Sequence, residues 1–256
     1  MSFLDIFGAS KPVIAMLHLK AGNNGCAVTL AKKEIDIFFE NGIDAALVEN
    51  YFGSVADCEN VLSYLYSNKR NSIYGVNILG DYRKAFELAN RYGAKFVQID
   101  SVCGHLNGAA DKEYGDDLKK LRSNSDAIVL GGVRFKYQPI RSGRSLEEDL
   151  KIGMERCDAI VITGSGTGEE TPEKKLMEFR EIVGDFPLIT GAGVTPDNIN
   201  AAFKYTDGII IGSWLKEGHN ASGDVSVENI NILNEKINKK NYLIFSRHNQ
   251  NKSSSF

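Results

Sequence analysis

Ile189-Thr190-Gly191-Ala192-Gly193-Val194-Thr195-Pro196, followed by Asp207-Gly208-Ile209-Ile210-Ile211-Gly212-Ser213, decides the fold. In each stretch a β-branched run stops at a glycine ahead of a helix start, which gathers backbone N–H groups near one point. Glycine lets the main chain approach an anion closely, and a helix N-terminus adds unsatisfied donors and the positive end of its dipole. Two such turns in succession at the end of an α/β chain match the phosphate site formed after strands 7 and 8 of a (β/α)8 barrel. Taken singly, Gly191, Gly193 and Gly212 need do no more than permit tight turns after buried strands, because short glycine motifs recur by chance. The ordered pair points to phosphate, held by Gly191, Ala192, Gly193, Gly212 and Ser213, with Trp214 closing the cup.

Working outward, apolar runs of strand length begin at Val13, Ala45, Tyr74, Phe96, Ala127, Ala159, Pro187 and Gly208, and helical spacing or helix punctuation fills the intervals. Continuous rather than alternating apolar runs belong to parallel strands buried on both faces, and eight such units close a ring. The predicted fold class is therefore α/β: a single (β/α)8 TIM barrel over residues 1–238, with a polar C-terminal tail over 239–256. A short helix within Ser2–Ser10 plugs the bottom of the barrel. Helices are expected over Leu30–Asn41, closed by Gly42, and over Asp81–Tyr92, closed by Gly93. Ser145-Leu146-Glu147-Glu148 is a capping box. Thr171-Pro172 and Thr195-Pro196 each read as an N-cap followed by proline at the first helical position. A Val227, Ile230, Leu233, Ile237 stripe marks the last helix as core-facing. The segment Val102–Ala110, glycine-containing and uncharged, reads as a lid.

Composition narrows the function. The 256 residues are 43% hydrophobic and 25% charged, ordinary for a globular protein, and the formal charge of −3 argues against nucleic acid or an anionic membrane as the main partner. Cys26, Cys58, Cys103 and Cys157 are dispersed, without Cys-x-x-Cys spacing, as suits reduced thiols. No apolar stretch approaches the ~18 residues needed to span a bilayer, and the first residues lack a signal peptide's order. The expectation is a cytoplasmic protein whose partner is a small phosphorylated metabolite, with homo-oligomerisation left open.

In such a barrel, chemistry sits where strands end at the C-terminal face. The register delivers His18, Glu49, Asn50, Asp100, Lys136 and Thr163 there, with Asn77 inside the third strand and Gly164 beginning the loop after the sixth. The strand-5 tip offers Arg134, Lys136 or both. The catalytic set is read as Glu49, Lys136, Asp100 and His18, a base, acids and a cation around one cavity. The binding set is Asn50, Asn77, Thr163 and Gly164 together with the glycine turns. Glu49 is the strongest of these, because a carboxylate at the tip of a buried run costs free energy unless it is paired or functional. His18 and Asp100 have structural alternatives as hydrogen-bonded or loop-capping groups, and Lys136 could serve as a Schiff-base lysine, an electrostatic clamp or a solvated charge. Glu49 and Asp100 would be the oxygen donors for a divalent ion beside substrate phosphate, but no compact carboxylate cluster or His-x-x-x-His accompanies them, and no cofactor is expected.

A family resemblance spans almost the whole chain. Pro12-Val13-Ile14-Ala15-Met16-Leu17-His18-Leu19, Ala46-Leu47-Val48-Glu49-Asn50, Gly75-Val76-Asn77-Ile78-Leu79, Asp158–Gly164 with Thr167-Gly168, Gly191-Ala192-Gly193-Val194-Thr195 and Asp207–Ser213 together resemble the BtpA/SgcQ family, in the family's order. The resemblance implies a ribulose-phosphate-binding barrel, and associates the chain with photosystem I accumulation or sugar uptake. Two departures stand out. The family's proline-rich loop after His18 is here the proline-free Lys20-Ala21-Gly22-Asn23-Asn24-Gly25, and its Lys-His after strand 5 is here Lys136-Tyr137. Two functions follow: an isomerase, lyase or hydrolase for a phosphorylated sugar or nucleotide-like molecule, or a non-catalytic assembly factor that retains the phosphate pocket.

Overall fold

Each apolar run forms a strand because both of its faces find an apolar partner. The computed structural model describes residues 3–7, 11–21 and 26–237. Strands β1 (Val13–Leu17), β2 (Ala45–Glu49), β3 (Ile73–Asn77), β4 (Phe96–Cys103), β5 (Ile128–Val133), β6 (Ala159–Ile162), β7 (Leu188–Thr190) and β8 (Gly208–Ile211) pair in parallel, in chain order, as a closed barrel. β8 returns to β1 through Val13↔Ile209 and Ala15↔Ile211. Between the strands lie α2 (Ala27–Glu40), α3 (Val55–Asn68), α4 (Tyr82–Tyr92), α5 (Gly108–Ser123), α6 (Leu146–Arg156), α7 (Glu173–Val183) and α8 (Ile199–Tyr205). The fold is a (β/α)8 barrel.

The two-residue period of the strands divides the core. Ile14, Met16, Ala45, Leu47, Phe96, Leu130, Val161, Ile189 and Ile210 fill the barrel interior, while Val13, Ala15, Leu17, Ala46 and Val48 face the helical ring. α1 (Phe3–Phe7) contributes Phe3 and Phe7 to the interior cluster, with the Phe7 ring 6.0 Å from that of Phe96, so it closes the N-terminal end as expected. Gly75 is required there: a Cβ at that position would lie 2.2 Å from the Phe96 ring.

Capping followed the sequence where side chains satisfy helix ends locally. Asp81 accepts the Lys84 N–H at the start of α4, Gly93 closes that helix with φ +65°, and the Ser145/Glu148 capping box is complete. Other readings are corrected. α8 begins at Ile199, not after Thr195-Pro196, because the Asn198 side chain accepts the Thr195 N–H and donates to the Gly193 carbonyl, holding the intervening residues in a turn. No helix N-terminus therefore adjoins Gly193. Thr171 does not cap α7 either; Pro172 is the N-cap and the Thr171 hydroxyl is buried without a partner.

The lid reading is also corrected. β4 continues to Cys103 and α5 begins at Gly108, which leaves only residues 104–107 as a connection. Val102 and Cys103 are fully buried, the Val102 carbonyl accepts from Arg156 Nη1 at 3.0 Å, and the Ser101 carbonyl accepts from the Tyr114 hydroxyl at 2.8 Å. Residues 227–237 are helical with Ile230 and Leu233 in the core, but Val227 is exposed. The tail expected over 239–256 lies outside the described residues, as does most of the proline-free loop. No helix among the described residues is long and apolar enough to cross a membrane.

Candidate active site

A cavity of about 380 Å³ opens at the C-terminal ends of the strands, the size of a small-metabolite site. Of the residues expected there, His18, Glu49, Asp100, Lys136, Gly191, Ala192, Gly193, Gly212 and Ser213 line it. Four others stand behind its wall. Asn77 is the register partner of Glu49, and its Nδ2 donates to Glu49 Oε1 at 2.9 Å and to Asp100 Oδ1 at 3.0 Å, holding the two carboxylates together. Asn50 Oδ1 accepts the Leu79 N–H at 2.8 Å and so fixes the loop after β3. Thr163 Oγ1 accepts the Lys136 N–H at 3.0 Å. Gly164 leaves room for the carbonyls of Glu169 and Glu170, which a Cβ would approach to 2.7 and 2.6 Å.

The two basic residues at the β5 tip diverge. Arg134, with φ +49°, turns outward to Asp149, its Nε 3.0 Å from Oδ2. Lys136 turns in, and its Nζ donates to Thr167 Oγ1 at 3.1 Å across the cavity rim.

Burial sets the electrostatics. Glu49 is 5% exposed, and its carboxyl is pushed up to about 7, first by burial and then by Asp100, against the opposing influence of Lys136 and Asn77. Burial likewise raises Asp100 and lowers Lys136. A buried carboxyl that changes charge near neutrality, in a cavity with a half-buried ammonium, has the properties of a general acid–base group. Among the described residues, no three His, Cys, Asp or Glu side chains converge as metal donors.

Two residues escaped the sequence reading. Gln98 lines the cavity two positions before Asp100, on the same face of β4, and its Oε1 is buried without a partner. The i, i+2 spacing to Asp100 was the available signal. Lys216 is 1% exposed; its Nζ lies 2.9 Å from His18 Nδ1 and donates to the Ala221 carbonyl at 3.0 Å. Burial lowers Lys216 to about 8, and burial followed by Lys216 lowers His18 to about 3. His18 Nε2 stands 3.9 Å from Glu49 Oε2.

The glycine turns serve packing as well as access. A Cβ on Gly212 would lie 3.0 Å from His18 Cε1, and one on Gly193, whose φ is +65°, would lie 2.1 Å from the Glu169 carbonyl oxygen. After Gly212 the chain makes a single turn of 3-10 helix, Ser213–Leu215. Aromatic groups rim the opening: Tyr51 packs on His18 with centroids 5.0 Å apart, and Trp214 stacks on His219.

With the barrel and its mouth in view, the family follows. The sequence profile of the BtpA family matches residues 9–239. The chain belongs to the BtpA family. Relatives include an uncharacterised protein of Pyrococcus furiosus, 27% identical over 94% of this chain and 98% of that one. The photosystem I biogenesis protein BtpA of a Synechocystis strain is 24% identical over 86% of this chain and 85% of its own. Among solved structures, one described as native KDPGal is 13% identical, with TM-score 0.62 over 90% of this chain and 96% of that one. Phosphoribosyl anthranilate isomerase of Thermus thermophilus is 13% identical, with TM-score 0.59 over 89% and 98%. At this identity these neighbours show a shared (β/α)8 barrel fold.

Proposed function

We propose that this BtpA-family chain is an enzyme that acts on a phosphorylated sugar or nucleotide-like metabolite by isomerisation, C–C or C–N cleavage, or hydrolysis. The single observation that carries the reading is that buried Glu49 and half-buried Lys136, both shifted toward neutrality, line the same cavity as the two glycine turns. The phosphate would sit on the backbone of Gly191–Gly193 and Gly212–Trp214 and would not react. Its binding energy would orient the rest of the substrate between the carboxylate and the ammonium. Glu49 would move a proton, with Asp100 setting its basicity through the shared Asn77 amide, while Lys136 stabilised the charge that develops. That a phosphoribosyl anthranilate isomerase and an N-acetylneuraminate lyase share the fold is compatible with this and does not choose among the reactions.

A second reading has one observation in its favour. Tyr51, Phe52 and Tyr137 are exposed around the mouth, an apolar rim on which an assembly factor of the kind named for the Synechocystis relative would dock a partner. Tyr51 and Tyr137 also line the cavity, so a substrate explains part of this rim.

Thermal-shift screening of paired phosphorylated and dephosphorylated metabolites, followed by turnover assays on the hits, separates the two. A ligand at 100 times its Kd stabilises by about 2.7 kcal/mol, an upward shift of roughly 5–10 °C at this chain length. Phosphorylated hits that are converted support the enzyme; hits that bind and are never converted favour the assembly factor.

A further inference from the structure

We propose that Lys216 is a positioning residue: by donating to Nδ1 of His18, it fixes the neutral imidazole as the Nε2–H tautomer, so that His18 offers the cavity a hydrogen-bond donor instead of a base. The role toward substrate rests on the enzymatic reading above, whereas the tautomer does not.

The geometry leaves His18 little choice. A lysine ammonium has only donors, and one of its hydrogens already goes to the Ala221 carbonyl at 3.0 Å. At 2.9 Å from Nδ1, a ring proton on that nitrogen would point into the ammonium. The alternative, an Nδ1–H donated to the same Ala221 oxygen, spans 3.3 Å and would place a second donor beside the lysine on one acceptor. Accepting from Lys216 removes the conflict and puts the imidazole proton on Nε2. That nitrogen faces inward, 3.9 Å from Glu49 Oε2, with the ring laid against Gly212 where a Cβ would not fit. A substrate oxygen seated near Glu49 would thus meet an N–H on one side and the carboxyl on the other.

Burial is the largest influence on both groups and lowers both, Lys216 to about 8 and His18 to about 3, so that near pH 7 the lysine is charged and the ring neutral. After burial, Glu34, Glu49 and Asp224 favour the charge on Lys216 and Lys20 opposes it, while Lys216 and Lys136 both oppose a charge on His18. A neutral imidazole polarises a carbonyl or holds a developing oxyanion without carrying a full charge, a known use of histidine held well below its ordinary pKa. Lys216 does not line the cavity, so its influence there passes through the ring.

Long-range 1H–15N correlation spectra of 15N-histidine-labelled full-length protein test this without any substrate, His18→Gln identifying the signal. In the wild type at pH 7 the His18 Nδ1 should be pyridine-type and Nε2 pyrrole-type, with no protonation of the ring down to about pH 4. In Lys216→Met the preference for Nε2–H should fall at least about tenfold and the ring should titrate at higher pH, because a charge-assisted hydrogen bond and a neighbouring charge are both gone. Lys216→Arg should retain the wild-type tautomer. A wild-type Nδ1–H tautomer, or an unchanged tautomer in a folded Lys216→Met, overturns the proposal. Should Lys216→Met not fold, the wild-type spectrum decides. A confirmed tautomer in a protein that binds no phosphorylated ligand would count against the enzymatic reading alone.

Discussion

Glu49→Gln and Lys136→Met are each expected to lower kcat at least about a hundredfold on a substrate found by the screen, with affinity for its phosphate retained. Removing a general acid–base group or a charge-stabilising donor typically costs about 10²–10⁴-fold. The two side chains enter from β2 and from the loop after β5, three strands apart around the ring, so they approach a bound molecule from different directions. Neither touches the glycine turns through a hydrogen bond, which is why KM should move much less than kcat. Wild-type stability gives a second readout. The Glu49 carboxyl rises from its ordinary 4.5 to about 7, so the folded state holds a proton that the unfolded chain has released across that window. Its contribution is complete below about 4.5 and is lost as the pH climbs through 7, where folding must accommodate a buried charge. Glu49→Gln keeps the acceptor for Asn77 and carries no charge, so it should be more stable than the wild type at pH 8 by on the order of 1–3 kcal/mol and indistinguishable at pH 4. Normal turnover in both variants would move the chemistry elsewhere.

Asp149→Ala should destabilise the fold by about 3–5 kcal/mol in urea unfolding, the range for removing one member of a buried ion network. Asp149 is fully buried; it accepts from Arg134 Nε at 3.0 Å, Arg144 Nε at 2.9 Å and Ser142 Oγ at 2.9 Å. Burial pushes its carboxyl up, but hydrogen bonds from Arg144, Arg134 and Ser142 outweigh that and hold it below the usual carboxylate range. Its stabilisation is therefore present at neutral pH and is lost as the pH falls through its depressed pKa, and the alanine variant should lack that acid limb. Arg144 also reaches Asp111, which Arg156 binds in turn, so the cluster ties the loop after β5 to α5 and α6. That loop carries Lys136 and Tyr137, which makes the network the anchor of one wall of the site. A loss below about 1 kcal/mol would mean that solvent replaces the carboxylate and the network is a surface feature.

The barrel was legible because strands buried on both faces leave continuous apolar runs, and parity then delivered His18, Glu49 and the β5 tip to one end. Apart from β4, which runs on to Cys103, the strand tips were readable to within a residue. What escaped depends on tertiary packing. Thr195-Pro196 carries a helix start signal, but Asn198 captures the Thr195 N–H first and delays α8 to Ile199. Val102–Ala110 looks like a loop by composition, yet β4 runs on into it, with Tyr114 taking the Ser101 carbonyl just before the segment and Arg156 the Val102 carbonyl at its start. Asn50 and Thr163 occupy strand tips as expected, and neighbouring backbone N–H groups take their side chains before any ligand can. Lys216 is the sharpest case. A lysine after Trp214-Leu215 carries no local signal of burial, and only closure of β8 onto β1 brings it to His18, across 198 positions of sequence. Gly212 likewise reads as a phosphate-loop glycine, while the same closure also makes it the floor on which the His18 ring rests.

The central claim is that the mouth of this barrel is an anion site built on two glycine turns, and calorimetric titration of inorganic phosphate tests it most directly. Wild-type protein and Ser213→Glu are compared, since a carboxylate at Ser213 puts a like charge on the cavity wall and leaves Gly193, Gly212 and His18 themselves unsubstituted. The account predicts saturable binding at one site in the wild type and at least about a tenfold loss in the variant, the cost of roughly one unscreened like charge in a partly buried site. Equal binding by both proteins, or none by the wild type at concentrations that saturate ordinary phosphate sites, would contradict it.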